Sequence, residues 1–86
     1  MRPSPYAVRV SAPAAKVLDV LPEHAADTVW DVLATASVRP WGYPQFDTDD
    51  DEGGDVRYAA VGRLSVTYWI NRSQHSLTVL NIVWLG

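Results

Sequence analysis

Eighty-six residues and 9.5 kDa leave room for one small domain, residues 1–86, and a chain of this size buries only roughly 60% of its unfolded surface. Hydrophobic residues make up 48% and charged residues 20%, a globular balance and not that of a disordered chain. With no cysteine, disulfides and thiolate metal sites are excluded, and no apolar run approaches the ~18 residues of a membrane span. The opening Met1-Arg2-Pro3-Ser4-Pro5 lacks the apolar core of a signal peptide, so the expected location is cytoplasmic.

The formal net charge of −3 conceals an asymmetry. Asp47, Asp49, Asp50, Asp51, Glu52 and Asp55 place six acids in the loop 47–55, while the remainder carries four acids against seven Lys and Arg, a balance of +3 (7 − 4). A basic body attracts phosphate, and an acidic loop screens it. Six of the seven bases are Arg, the side chain best suited to phosphate, although Arg bias also follows from codon composition.

Tyr6-Ala7-Val8-Arg9-Val10 alternates with the period of a strand. Ser11 is placed to cap a helix that tolerates Pro13 in its first turn and buries Val17, Leu18 and Leu21 before Pro22 ends it. A second helix is predicted from Glu23 to about Ala36, with Ala25, Ala26, Val29, Val32, Leu33 and Ala36 on its apolar face and Glu23 and Asp27 near its N-terminus. Between Ser37 and Asp55 the periodicity disappears under Pro40, Gly42 and Pro44, with room for a short strand around Gln45–Asp47 and a turn at Gly53-Gly54.

Val56 to Val61 reads as a strand and Gly62-Arg63 as a turn. In Leu64 to Asn71 the alternation is clear: Leu64, Val66, Tyr68 and Ile70 share one face, and Arg63, Ser65, Thr67 and Trp69 the other. A polar turn from Asn71 to Ser76 leads into Leu77–Trp84, whose apolar character marks a central strand. The order β-α-α-β-β-β predicts an α+β domain with a helical hairpin packed on one face of an antiparallel sheet.

This order, the helix ending in Leu21-Pro22, and above all Val61-Gly62-Arg63-Leu64-Ser65-Val66-Thr67-Tyr68 resemble the RelE/ParE toxin superfamily. Its third strand typically reads Val-Gly-x-Tyr-Arg-Val-x-Tyr, and the likeness spans about residues 6 to 84. The resemblance implies a toxin of a toxin–antitoxin system, held inactive by an antitoxin protein. RelE-type members cleave messenger RNA on the ribosome, as mRNA interferases that inhibit translation; ParE-type members poison gyrase. RelE-type cleavage needs an activated 2′-hydroxyl, a stabilised phosphorane and a protonated leaving oxygen.

Val61, Gly62, Val66 and Tyr68 fit the signature. Its arginine falls on Ser65, the arginine that often precedes it falls on Ala60, and the C-terminal basic stretch falls on Trp84, Leu85 and Gly86. The catalytic basic set is therefore largely missing. Arg63, about 6.6 Å along the strand from Ser65, and Arg57 are the candidate replacements. Ser65, Thr67, Trp69 and Asn81 join Arg63 as the expected RNA or partner-binding face, with Trp69 suited to stacking on a base. Arg39, Trp41 and Tyr43, with Phe46, form an aromatic loop that either seals the core or offers a docking surface.

Other chemistry finds little support. His24 and His75 lie apart in sequence and lack the pairing of a nucleophilic triad. Asp47, Asp49 and Asp51 share the one-three-five spacing of a calcium loop, but Glu52 stands where its glycine belongs and Tyr58 where its bidentate acid belongs. No metal and no cofactor is expected. Three readings follow: a RelE-like toxin directed at the ribosome and messenger RNA, with weak endoribonuclease activity if any; a ParE-like gyrase inhibitor; or a non-toxic protein-interaction module. A homodimer through the edge of the last strand is a further possibility.

Overall fold

The structure is a computed structural model that describes residues 4–45 and 55–86. Most of the acidic loop, Phe46 and the far end of the expected Gln45–Asp47 strand lie outside these residues; Gln45 itself forms a bridge to Arg57.

The chain begins with β1 (Ala7–Val10), continues through α1 (Ala12–Val20) and α2 (Glu23–Val38), makes a short 3-10 turn at Pro40–Gly42, and ends in β2 (Val56–Val61), β3 (Leu64–Asn71) and β4 (Ser76–Trp84). Ser11 starts α1 as expected: its backbone is extended and its hydroxyl oxygen accepts the Ala14 N–H at 3.3 Å. The same hydroxyl donates to the Leu80 carbonyl at 3.2 Å, fixing the helix start to β4. Pro22 opens α2 without a side-chain cap, and α2 runs two residues beyond the expected Ala36.

The sheet order is β1-β4-β3-β2. The β2–β3 and β3–β4 pairs are antiparallel hairpins, and β1 joins β4 in parallel, so the sheet is mixed. Local turns dictate the antiparallel pairs. The parallel pair is formed after the chain has crossed the sheet through α1 and α2, a long-range outcome that no local pattern encodes. Gly62 has φ +58° in the tight β2–β3 turn, where a side chain would be strained. His75 takes the corresponding left-handed position in the β3–β4 turn.

β4 sits between β1 and β3, and β1 covers its outer edge from Ser76 to Val79. The outer strands of the sheet are β1 and β2, and Gln45 bridges β2 at Arg57.

One sheet face is covered by the two helices. Ala14 of α1 and Val29, Val32 and Leu33 of α2 pack with Ala59, Leu64, Val66, Val79 and Ile82, while Ala36 joins Tyr68, Ile70 and Leu77 in a second cluster. Each fully buried Leu, Ile or Val side chain contributes about 1.5–3 kcal/mol of transfer free energy, the main term in a domain this small. Tyr68 is 0% exposed; its hydroxyl donates to the Pro40 carbonyl and so ties β3 to the 3-10 turn. No helix among the described residues is long and apolar enough to cross a membrane.

Candidate functional site

The face of the sheet away from the helices follows directly from the strand register. Residues directly opposite one another in a ladder share a face, which gives four cross-strand rows, one of them Ala7, Ser76 and Asn71 at the end of the β3–β4 hairpin. Ala60, Ser65 and Val83 form the first row, and Tyr58, Thr67 and Asn81 the second. Val56, Trp69, Thr78 and Arg9 form the third, which crosses all four strands. With strands ~4.8 Å apart, Arg9 lies about 10 Å across the sheet from Trp69.

A bulge is what brings Asn81 to this face. Leu77 and Val79 point into the core, so strict alternation would send Asn81 inward as well. The register instead shifts between Thr67 and Tyr68, leaving Leu80 as the extra residue between Val79 (opposite Tyr68) and Asn81 (opposite Thr67). Ser11 bonds the carbonyl of this inserted residue.

Ser65, Thr67, Trp69 and Asn81 thus share one face, with Trp69 40% exposed. Arg63 belongs to the Gly62-Arg63 turn and not to the ladder; it is exposed, and its carbonyl accepts the Leu85 N–H at 3.0 Å. It stands at the rim of the face, beside the Ser65 row.

Arg57 does not join it. Arg57 lies opposite Tyr68, on the helix-covered side, and its guanidinium donates to the Tyr43 carbonyl at 3.1 Å. The candidate pairing of Arg57 with Arg63 as a substitute cationic set is therefore corrected: the two side chains serve opposite sides of the sheet. In their place the fold supplies Arg9, and adds Tyr58 to the middle row. Both were legible in principle. Arg9 is the polar member of an alternating strand, and placing Arg57 inward requires Tyr58 outward.

Arg39, Trp41 and Tyr43 do not form one surface. Arg39 is exposed at the end of α2, Tyr43 packs against both core clusters, and its ring meets that of Tyr68 edge-on at 6.4 Å. Trp41 belongs to a cluster that the linear sequence did not reveal. Its indole N–H donates to Asp55 at 3.2 Å, and the Arg72 guanidinium lies 4.8 Å from its ring centroid. Arg72 also grips Asp55, with its Nη2 2.8 Å from Oδ1 and its Nε 3.2 Å from both carboxylate oxygens.

Tyr6 meets Trp41 edge-on at 6.0 Å and stacks on His75 at 3.8 Å. The hydrogen bonds from Arg72 hold the Asp55 carboxyl below its ordinary value despite partial burial, which opposes them. This cluster clamps the 3-10 turn to the start of β2 and to the β3–β4 hairpin.

His24 and His75 are far apart in role: His24 meets Trp84 edge-on at 5.6 Å, whereas the His75 ring lies 2.7 Å from the Ser4 carbonyl. Among the described residues no three His, Asp or Glu side chains are grouped to hold a metal ion, and no closed pocket is present. The sheet face is an open platform. It offers hydroxyl and amide hydrogen-bonding groups, one indole, and cations at one side and at the rim. Such a set has the chemistry for hydrogen bonding and stacking, and it holds no described histidine or carboxylate to act as a general base.

No family model matches the sequence, and no curated protein gives a sequence match. Solved structures do match. The RelBE2 toxin–antitoxin complex of Mycobacterium tuberculosis aligns with a TM-score of 0.74 and 23% identity, over 93% of this chain and 98% of that one. The isolated Escherichia coli RelE toxin aligns with a TM-score of 0.80 and 11% identity, over 94% of this chain and 85% of that one. The archaeal RelE–RelB complex of Pyrococcus horikoshii gives 0.72 and 18%, over 94% and 96%. The chain has the RelE toxin fold, with two helices on a four-stranded mixed sheet.

Proposed function

We propose that this chain is the toxin-like component of a toxin–antitoxin pair, cytoplasmic, and directed at messenger RNA on the ribosome through the open sheet face. An antitoxin protein is its proposed partner. The observation that carries the reading is the segregation of charge across the fold. The four acids outside the 47–55 loop, Asp19, Glu23, Asp27 and Asp31, all lie on the helices. The described open face carries Arg9, with Arg63 at its rim, and no carboxylate. A polyanion is attracted to one side of such a molecule and repelled from the other.

Trp69 supplies the stacking surface, and Thr67 and Asn81 supply hydrogen bonds beside it. Arg9 and Arg63 neutralise phosphate. With no general base among the described residues of the face, and Ser65 where the signature arginine would stand, the face favours binding over cleavage, so any endoribonuclease activity is weak. Placing arginine back by Ser65→Arg raises cleavage only where a proton donor is also within reach.

The test is induction of the chain alone in a bacterial host, following growth while mapping messenger RNA 5′ ends. Growth arrest with stalled translation, and few or no ribosome-dependent cuts, is the expected result. Arrest with altered DNA supercoiling overturns the ribosome-directed reading in favour of gyrase. Unimpaired growth overturns the toxin reading altogether and leaves a protein-interaction module.

A further inference from the structure

The outer face of α2 is built differently from the rest of the surface. Trp30, Ala34 and Val38 recur every four residues and form one stripe pointing away from the core; Trp30 is 50% exposed and Val38 62%. This stripe is the reverse of the buried Val29, Leu33 and Ala36 face, so packing among the described residues does not explain it. Its charges are polarised along the helix. Glu23 and Asp27 precede the stripe, Asp31 flanks it, and Arg39 follows it, all exposed.

We infer that this stripe is a two-fold contact between two copies of the chain, with the two α2 helices antiparallel and crossing at Ala34. The pattern is its own complement. Ala34 lies midway between Trp30 and Val38, so rotation about Ala34 sets Trp30 against the partner's Val38 and Val38 against the partner's Trp30. The same rotation brings the partner's Arg39 to the level between Asp27 and Asp31. A parallel pairing would instead set acids on acids. The small central residue lets the helix axes approach to about 9 Å, with facing Cα atoms about 4.4 Å apart.

RNA is repelled from this acidic helix face, so the contact leaves the sheet platform free, and it stands independently of the proposed activity. Three principal side chains per copy place the contact at the small end of specific interfaces, below about 1,200 Å² in total, and its dissociation constant on the order of 10–100 µM.

The chain contains no cysteine, which makes the test clean. An Ala34→Cys variant of the full chain, oxidised at ~100 µM, is expected to form a disulfide dimer, because facing Cα atoms fall in or close to the range a disulfide spans. Lys16→Cys on α1 serves as the collision control and stays monomeric. Equal cross-linking of the two variants overturns the proposal.

Sedimentation equilibrium of the unmodified chain gives the affinity without any substitution. A monomer persisting at about 1 mM also overturns the proposal. Arg39→Glu, with unchanged circular dichroism, weakens association about tenfold, and adding Asp27→Arg restores it. Failure of this rescue overturns the antiparallel arrangement.

Discussion

Removing the Tyr68 hydroxyl isolates a single buried hydrogen bond. Tyr68→Phe keeps the ring, its core contacts and its edge-on meeting with Tyr43, but leaves the carbonyl of buried Pro40 without its donor. A buried acceptor deprived of its partner costs about 1–3 kcal/mol. In a domain of this size each kcal/mol lowers the melting temperature by roughly 4–8 °C, so a drop of about 4–24 °C is expected at neutral pH.

The pH dependence adds a second signature. Burial, followed by the neighbouring Tyr43, pushes the Tyr68 phenol from 10.0 up to about 12. The folded state therefore keeps its proton where the unfolded state has lost it. Stability from this group is complete below pH 10 and is lost as pH rises toward 12, by about 2–3 kcal/mol in all. Phenylalanine has nothing to titrate, so the gap between wild type and variant narrows across that interval. Urea melts of both proteins from pH 7 to 12 read it directly. A gap that stays constant with pH, or a variant as stable as wild type at pH 7, would refute the argument.

Three further outcomes are expected. Ser11→Ala removes both the α1 cap and the bond to the Leu80 bulge, and destabilises by about 1–2 kcal/mol in chemical denaturation; no change would mean that neither bond matters. Asp55→Asn flattens the acid limb of the stability curve. A carboxyl held below its ordinary value stabilises the fold above the unfolded value and loses that contribution as pH falls below about 4; thermal melts between pH 2 and 6 compare the slopes. Trp69→Ala leaves the melting curve nearly unchanged but weakens binding to a single-stranded RNA oligonucleotide by roughly 5- to 100-fold, the range for loss of one stacked base. Fluorescence anisotropy measures it, and unaltered binding would remove Trp69 from the platform.

The parts of the structure legible in sequence are those that local chemistry determines. Leu64, Val66, Tyr68 and Ile70 alternate with polar or exposed neighbours, so β3 and its two faces could be read directly. The spacing of Val29, Val32, Leu33 and Ala36 likewise defined the buried side of α2. Arg57 could not be assigned to a face, because Val56–Val61 lacks a clean alternation of polar and apolar residues. Its inward side chain meets the Tyr43 carbonyl, a tertiary contact with no local signal.

The position of Asn81 depends on one inserted residue, and a bulge leaves no mark in a run as uniformly apolar as Leu77–Trp84. Trp41, Asp55 and Arg72 are spread over 32 positions (72 − 41 + 1) and come together only when three turns meet at one end of the sheet. Read separately, Trp41 belongs to a loop that either seals the core or offers a docking surface, and Asp55 to an acidic loop. Their shared role is tertiary.

The central place of β4 also governs when the molecule can exist during its own synthesis. β1 is made first, yet its only strand partner lies some seventy residues later, between Ser76 and Trp84. Until that segment emerges, β1 is an unpaired strand, the β2–β3 hairpin lacks its inner neighbour, and the helices have half a floor to rest on. Such non-local pairing delays folding until the distant strand is available. A nascent chain stopped anywhere before Ser76 therefore carries neither the complete core nor the complete sheet face, and whatever the folded protein does to a cell begins only after β4 has been added.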